Sequence, residues 1–114
     1  MEIKTEDYHI SYDTETTTIN YTGILRLSGM DEYAPIVQLF NQVLEQEPPL
    51  VTFNLRQLQF LNSSGINVLS KFVIKIRQKK NIKMVIKGSK KILWQGKSLK
   101  NLQRLMPNLQ LDLE

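Results

Sequence analysis

The sequence predicts an α/β domain: one mixed β-sheet of four to six strands, with three or four helices packed on it. Two observations carry this. Short runs of β-prone residues alternate with longer segments whose apolar residues recur at i, i+3 and i+4. The apolar share, 41% of 114 residues, fills one core and not two, so residues 1–114 are read as a single domain.

The elements follow in chain order. Tyr8, Ile10 and Tyr12 alternate with polar residues, and Asp13-Thr14-Glu15 reads as a turn. Thr16 to Gly23 is rich in Thr, Ile and Tyr, which suits a strand, and Ile24 to Leu27 alternates as a further short one. Ser28-Gly29-Met30-Asp31 breaks this pattern. Asp31 and Glu32 then set acids at the start of a helix, where the dipole favours them. Pro35 is accommodated in its first turn, where N–H groups lack helical partners. Tyr33, Ile36, Val37, Phe40, Val43 and Leu44 form its apolar face, and Pro48-Pro49 ends it. Leu50 to Leu55 reads as a buried, parallel strand.

A second helix is expected over Gly65 to Lys80, with Ile66, Leu69, Phe72, Val73 and Ile76 inward and Lys71, Lys75 and Gln78 outward. Ile74 falls on the outward side, near Asn67 and Lys71. Ile82 to Ile86 is a strand closed by Gly88-Ser89. Lys97 to Met106 is a shorter helix stopped by Pro107, and Leu109 to Leu113 is the last strand. The order β-β(-β)-α-β-α-β-α-β implies an antiparallel start and parallel pairing with right-handed crossovers thereafter.

Charge divides along the chain. Residues 1–60 hold three bases against nine acids, a net of −6. Residues 61–114 hold twelve bases against two acids, a net of +10. Such a half attracts nucleic acid, anionic lipid or an acidic protein. The plainer reading is a compact domain that interleaves both halves and carries a solvated, lysine-rich face. The absence of cysteine excludes disulfides, thiolate metal sites and a thiol nucleophile. No signal pattern opens the chain, no apolar run matches a membrane span, and the expected location is the cytoplasm.

The chemistry argues against an enzyme. The one histidine, His9, is expected on an edge strand as a surface residue, without the companions a metal site needs. The five glycines form no phosphate-binding pattern. Ser63-Ser64 at a strand-to-helix turn is similar to a nucleophile elbow, but the preceding glycine and a following histidine are missing. No cofactor and no metal are expected. Trp94, among Lys90, Lys91 and Lys97, is read as covering the core, its N–H paired.

Asn62-Ser63-Ser64-Gly65 carries the functional expectation. Asn62 or Ser63 can cap the following helix, which places Ser64 in the cap or first turn. A phosphate there adds about −1.5 to −2 of charge beside the positive helix end. The fold accepts that charge, while a docked partner meets a bulky dianion.

Three segments, in order, resemble the STAS domain of bacterial anti-sigma factor antagonists. They are Gly29-Met30-Asp31-Glu32-Tyr33-Ala34-Pro35, the strand Val51-Thr52-Phe53-Asn54-Leu55, and the signature Phe60-Leu61-Asn62-Ser63-Ser64-Gly65-Ile66. The resemblance runs from about Tyr8 to Leu113. It implies phosphorylation at Ser64, with Ser63 the second choice, by a serine kinase that is also an anti-sigma factor. It implies a serine phosphatase that resets the switch. The partner surface would comprise Asn62, Ser63, Ser64, Gly65, Asn67, Lys71 and Ile74. Asn54 and Asn62 stand where the family carries acids, so the turn keeps its cap but lacks negative charge beside the acceptor serine.

The expected function is a non-enzymatic, partner-switching interaction module. One alternative is a constitutive binding or scaffold module of the same fold. Another, weaker, is a polyanion-binding domain using Lys90, Lys91, Lys97 and Lys100. Neither a membrane nor nucleic acid is an expected partner.

Overall fold

A computed structural model describes the whole chain, Met1–Glu114. Seven strands form one sheet: β1 (Glu2–Lys4), β2 (Tyr8–Asp13), β3 (Thr18–Leu25), β4 (Leu50–Asn54), β5 (Leu58–Leu61), β6 (Lys83–Gly88) and β7 (Gln110–Leu113). Three helices intervene: α1 (Gly29–Glu45), α2 (Ser63–Gln78) and α3 (Leu93–Leu105). The spatial order is β1-β2-β3-β4-β6-β7, with β5 beside β3. The first three strands pair antiparallel; every later pairing is parallel. This is the mixed α/β sheet that the sequence predicts.

The differences have local causes. β1 is three residues long, too short to show alternation, yet it pairs with β2 and removes His9 from the sheet edge. His9 Nε2 lies 2.6 Å from the Glu2 carboxylate across that pair. The two strands expected over Thr16–Leu27 are one strand, β3, with a register shift at Gly23–Ile24. Gly23 has φ +102°, and a Cβ there would sit 2.3 Å from the Asp7 carbonyl, so the glycine bends the strand without ending it. β5 was not expected; it replaces β4 as the neighbour of β3 beyond that bulge. These two short strands bring the sheet above the expected six.

The helices start earlier than their periodicity suggests. α1 begins at Gly29, which moves Pro35 out of the first turn and into the second. Pro35 has no N–H for the Asp31 carbonyl, but both residues are exposed, so water can serve that carbonyl. The Glu32 carboxylate accepts the Ser28 amide at 2.6 Å and closes the helix start. α2 begins at Ser63 and α3 at Leu93, so Trp94 belongs to a helix.

α2 packs between α1 and α3, which makes a row of helices over one face of the sheet. The core joins the layers through Phe40 of α1, Phe53 of β4 and Phe72 of α2, with ring centroids 5.0–5.3 Å apart. Tyr21 of β3 adds an edge contact at 6.1 Å. The other face of the sheet is polar, with Ser11, Asn20, Asn54, Lys87 and Asp112 in one cross-strand row.

Because strand order follows chain order, the two charge halves are not interleaved, contrary to the sequence expectation. β1, β2, β3 and α1 make an acidic side; α2, β6 and α3 make a basic one, with Asp112 and Glu114 of the β7 end as its acids. No helix is long and apolar enough to cross a membrane.

Candidate functional site

β5 delivers the chain into α2 through Asn62, whose extended backbone (φ −77°, ψ 176°) makes it the residue that caps the helix. Its side chain has three partners. Oδ1 accepts the Gly65 amide at 3.0 Å and the Tyr33 hydroxyl at 2.7 Å. Nδ2 donates to the Leu27 carbonyl at 2.8 Å. The amide orientation is forced, since Gly65 N–H can only donate and Leu27 C=O can only accept. The turn is therefore latched to α1 and to the connection between β3 and α1, 29 and 35 residues away.

Tyr33 was legible only as an apolar residue of the α1 face. Its ring is fully buried, and its hydroxyl is the latch that ties α1 to the turn. Burial pushes that hydroxyl up to about 12. Gly65 is required by proximity: a Cβ would lie 2.3 Å from Leu61 Cδ1 and 2.6 Å from Tyr33 Oη.

Asn62 does the capping, so neither Ser63 nor Ser64 is needed for it. The hydroxyls of both serines lack a hydrogen-bond partner within the protein. Ser63 is exposed and Ser64 half-buried. Both occupy the first turn, where backbone N–H groups have no carbonyl four residues back. No acid stands in that turn, and the helix dipole places positive potential there.

The other expected site residues lie along α2. Asn67 is exposed one turn on, and Lys71 is exposed further along the same side as Ser64. Lys71 and Lys75 flank a small apolar groove of about 60 Å³ between α1 and α2, floored by Val37, Val68 and Phe72 with Met30 at its lip. Ile74 differs from expectation: it is half-buried, and ten residues past Ser64 it stands about 15 Å along the helix. The structure does not bring it to the turn.

Asn54, in the strand that resembles the STAS central strand, lies on the polar sheet face. It donates to Asn20 at 3.0 Å and accepts from Arg56 at 3.0 Å, and Arg56 also pairs with Glu114. The Trp94 N–H donates to the Leu58 carbonyl at 3.1 Å, as expected for a core cover. Its neighbour Gln95 was missed. Gln95 is fully buried, donates to the Leu55 and Leu58 carbonyls at 2.6 and 3.0 Å, and accepts the Ser89 amide at 2.8 Å. It sits in a polar stretch, Gln95-Gly96-Lys97-Ser98, with no sequence signal of burial. Lys90, Lys91, Lys97 and Lys100 are all exposed. No group of three or more His, Cys, Asp or Glu residues is placed to hold a metal.

The seven-stranded mixed sheet with one row of helices matches the STAS-like fold of an anti-sigma factor antagonist. Solved structures bear out the likeness. SiaC of Pseudomonas aeruginosa superposes with a TM-score of 0.76 at 9% identity, covering 100% of this chain and 96% of that one. A chain in the complex of the diguanylate cyclase SiaD with its activator SiaC, also from Pseudomonas aeruginosa, gives 0.75 at 10% identity, covering 100% and 99%. An anti-sigma factor antagonist from Mycobacterium paratuberculosis gives 0.63 at 17% identity, covering 96% and 82%. No family model matches the sequence, and no curated protein matches it.

Proposed function

We propose that the chain is a non-enzymatic partner-switching module whose state is set by phosphorylation of Ser64. The observation that carries this is the division of labour in the turn. Asn62 alone caps α2, and two adjacent serines are left with unpaired hydroxyls at the positive end of the helix. A phosphoryl group on Ser64 would meet free first-turn N–H groups and no neighbouring carboxylate. The partner surface is the turn with Asn67 and Lys71, and the unmodified form binds. The likeness to an anti-sigma factor antagonist supports a serine kinase and a phosphatase as the writing and erasing partners.

The fuller likeness to SiaC favours a second reading of the output. In that reading the partner is a nucleotide cyclase, as SiaD is for SiaC, and not a sigma-factor regulator.

Intact-mass analysis of the chain from its native host, with Ser63→Ala and Ser64→Ala variants, is the first test. A phosphorylated species lost only in Ser64→Ala is expected, together with partner release in Ser64→Asp. An unmodified chain under all growth conditions, with partner binding indifferent to Ser64→Asp, would overturn the proposal in favour of a constitutive module. Identifying the co-purifying partner as a kinase-like ATPase or a cyclase decides between the two outputs.

A further inference from the structure

The basic side of the molecule has an uncommon property: from Pro48 to Leu111 there is not one Asp or Glu. Helices normally offset exposed lysines with carboxylates three or four residues away, each such pair stabilising and each like-charge pair destabilising. α2 and α3 do the reverse. Lys71 and Lys75 of α2, and Lys100 and Arg104 of α3, are like-charged pairs at i, i+4. Of the twelve bases in residues 61–114, Lys79 alone reaches a carboxylate, that of Glu47 at 3.9 Å. The stripe on α3 is the most regular. Leu93, Lys97, Lys100 and Arg104 fall within an arc of about 60° at 100° per residue, opposite the buried Gln95, Leu99 and Leu102. Leu93 is 96% exposed, at the end of the stripe next to Lys90 and Lys91.

We propose that this α3 stripe, with Lys90 and Lys91, docks the protein on an anionic lipid surface, Leu93 entering the headgroup region. Four observations select that occupant. α3 ends the row of helices, so its outer face is open, and the acidic β1–β3 side lies at the far end of the sheet. The charge division thus turns the basic side toward an anionic plane and the acidic side away from it. The cations of residues 61–114 are ten lysines and two arginines, and Arg77 is engaged with the Leu105 carbonyl at 2.9 Å. Lysine is depleted and arginine enriched in protein interfaces, whereas lysine clusters on an amphipathic helix suit lipid headgroups. The stripe offers no exposed aromatic ring for base stacking, because Trp94 is half-buried with its N–H committed to Leu58. This revises the sequence expectation of no membrane partner, for peripheral contact only.

Flotation with vesicles tests the proposal. The full chain is mixed with vesicles of phosphatidylcholine alone, or of equal parts phosphatidylcholine and phosphatidylglycerol. Binding to the anionic vesicles only, falling with added salt, is expected. Each cation near such a surface adds about fivefold to partitioning, so Lys97→Gln, Lys100→Gln and Arg104→Gln together weaken it roughly a hundredfold. Those changes remove like-charge repulsion but also the one cation in the last turn of α3, effects of similar size, so the variant should melt close to the parent. Leu93→Ser should weaken binding several-fold and leave the salt dependence unchanged. No flotation with anionic vesicles at low salt overturns the proposal. So does undiminished flotation of the triple variant, or tighter binding to single-stranded RNA or to an acidic protein than to the vesicles.

Discussion

Asn62→Asp places in this turn the acid that the resembled signature carries and tests whether an amide is built into it. A carboxylate can still accept from Gly65 N–H and from the Tyr33 hydroxyl. It cannot donate to the Leu27 carbonyl, now 2.8 Å from the amide nitrogen. Losing that bond and setting one acceptor against another costs about 1–3 kcal/mol. Negative charge at the helix start offsets about 0.3–1 kcal/mol of it. The balance is a net destabilisation of about 1 kcal/mol at neutral pH. Protonation gives the carboxyl an O–H donor for Leu27, so the folded variant holds this proton more tightly than the unfolded chain, whose aspartate titrates near about 3.9. A raised folded pKa contributes stability below the unfolded value, lost as pH rises through the folded one. The gap between variant and parent therefore narrows on acidification. Urea unfolding followed by circular dichroism, at neutral pH and at about pH 4, inside the window that a shift of about 1 kcal/mol opens above about 3.9, measures it. A variant as stable as the parent at neutral pH, or a gap that ignores pH, refutes the reasoning.

Three further outcomes are expected. Gly65→Ala gains about 1 kcal/mol of helix propensity but forces a methyl against Leu61 and Tyr33, for a net loss of about 1–2 kcal/mol in chemical denaturation. Phe72→Ala opens a cavity between Phe40 and Phe53 and should lower stability by about 3–5 kcal/mol, read as a fall in the urea midpoint. Stability should decline as pH rises from 10 toward about 12, because unfolded tyrosines ionise near 10 while Tyr33 holds its proton to about 12 and buried Tyr21 higher still. Tyr33→Phe removes part of that decline, visible as a shallower alkaline limb.

The parallel part of the fold was legible because each helix and strand there has the length and periodicity of its type. Leu50–Asn54, α2 and Lys83–Gly88 declare themselves by apolar spacing alone. β1 and β5 did not, being three and four residues long, with backbone pairing supplied by longer neighbours. The bulge at Gly23 disguised one strand as two. The turn was legible as a cap and a serine pair, but its supports were not. Tyr33 and the Leu27 carbonyl reach Asn62 across 29 and 35 residues, and such distances leave no mark on local pattern. The charge division was visible in the sequence, yet its spatial meaning depended on strand order, which composition does not contain.

That strand order also bears on how the chain is assembled. Apart from β5, each strand lies beside its predecessor in the chain, so no later strand must wedge between two already joined. A polypeptide emerging from a ribosome can lay down β1, β2 and β3 as a meander, then α1, and add each parallel strand to the growing edge. The second half of β3 waits longer than the first, since Thr18–Asn20 finds its neighbour in Leu50–Asn54 and Gly23–Leu25 only when Leu58–Leu61 has been made. The serine turn follows that closing step directly, and it takes its latched form only after most of the sheet has been synthesised.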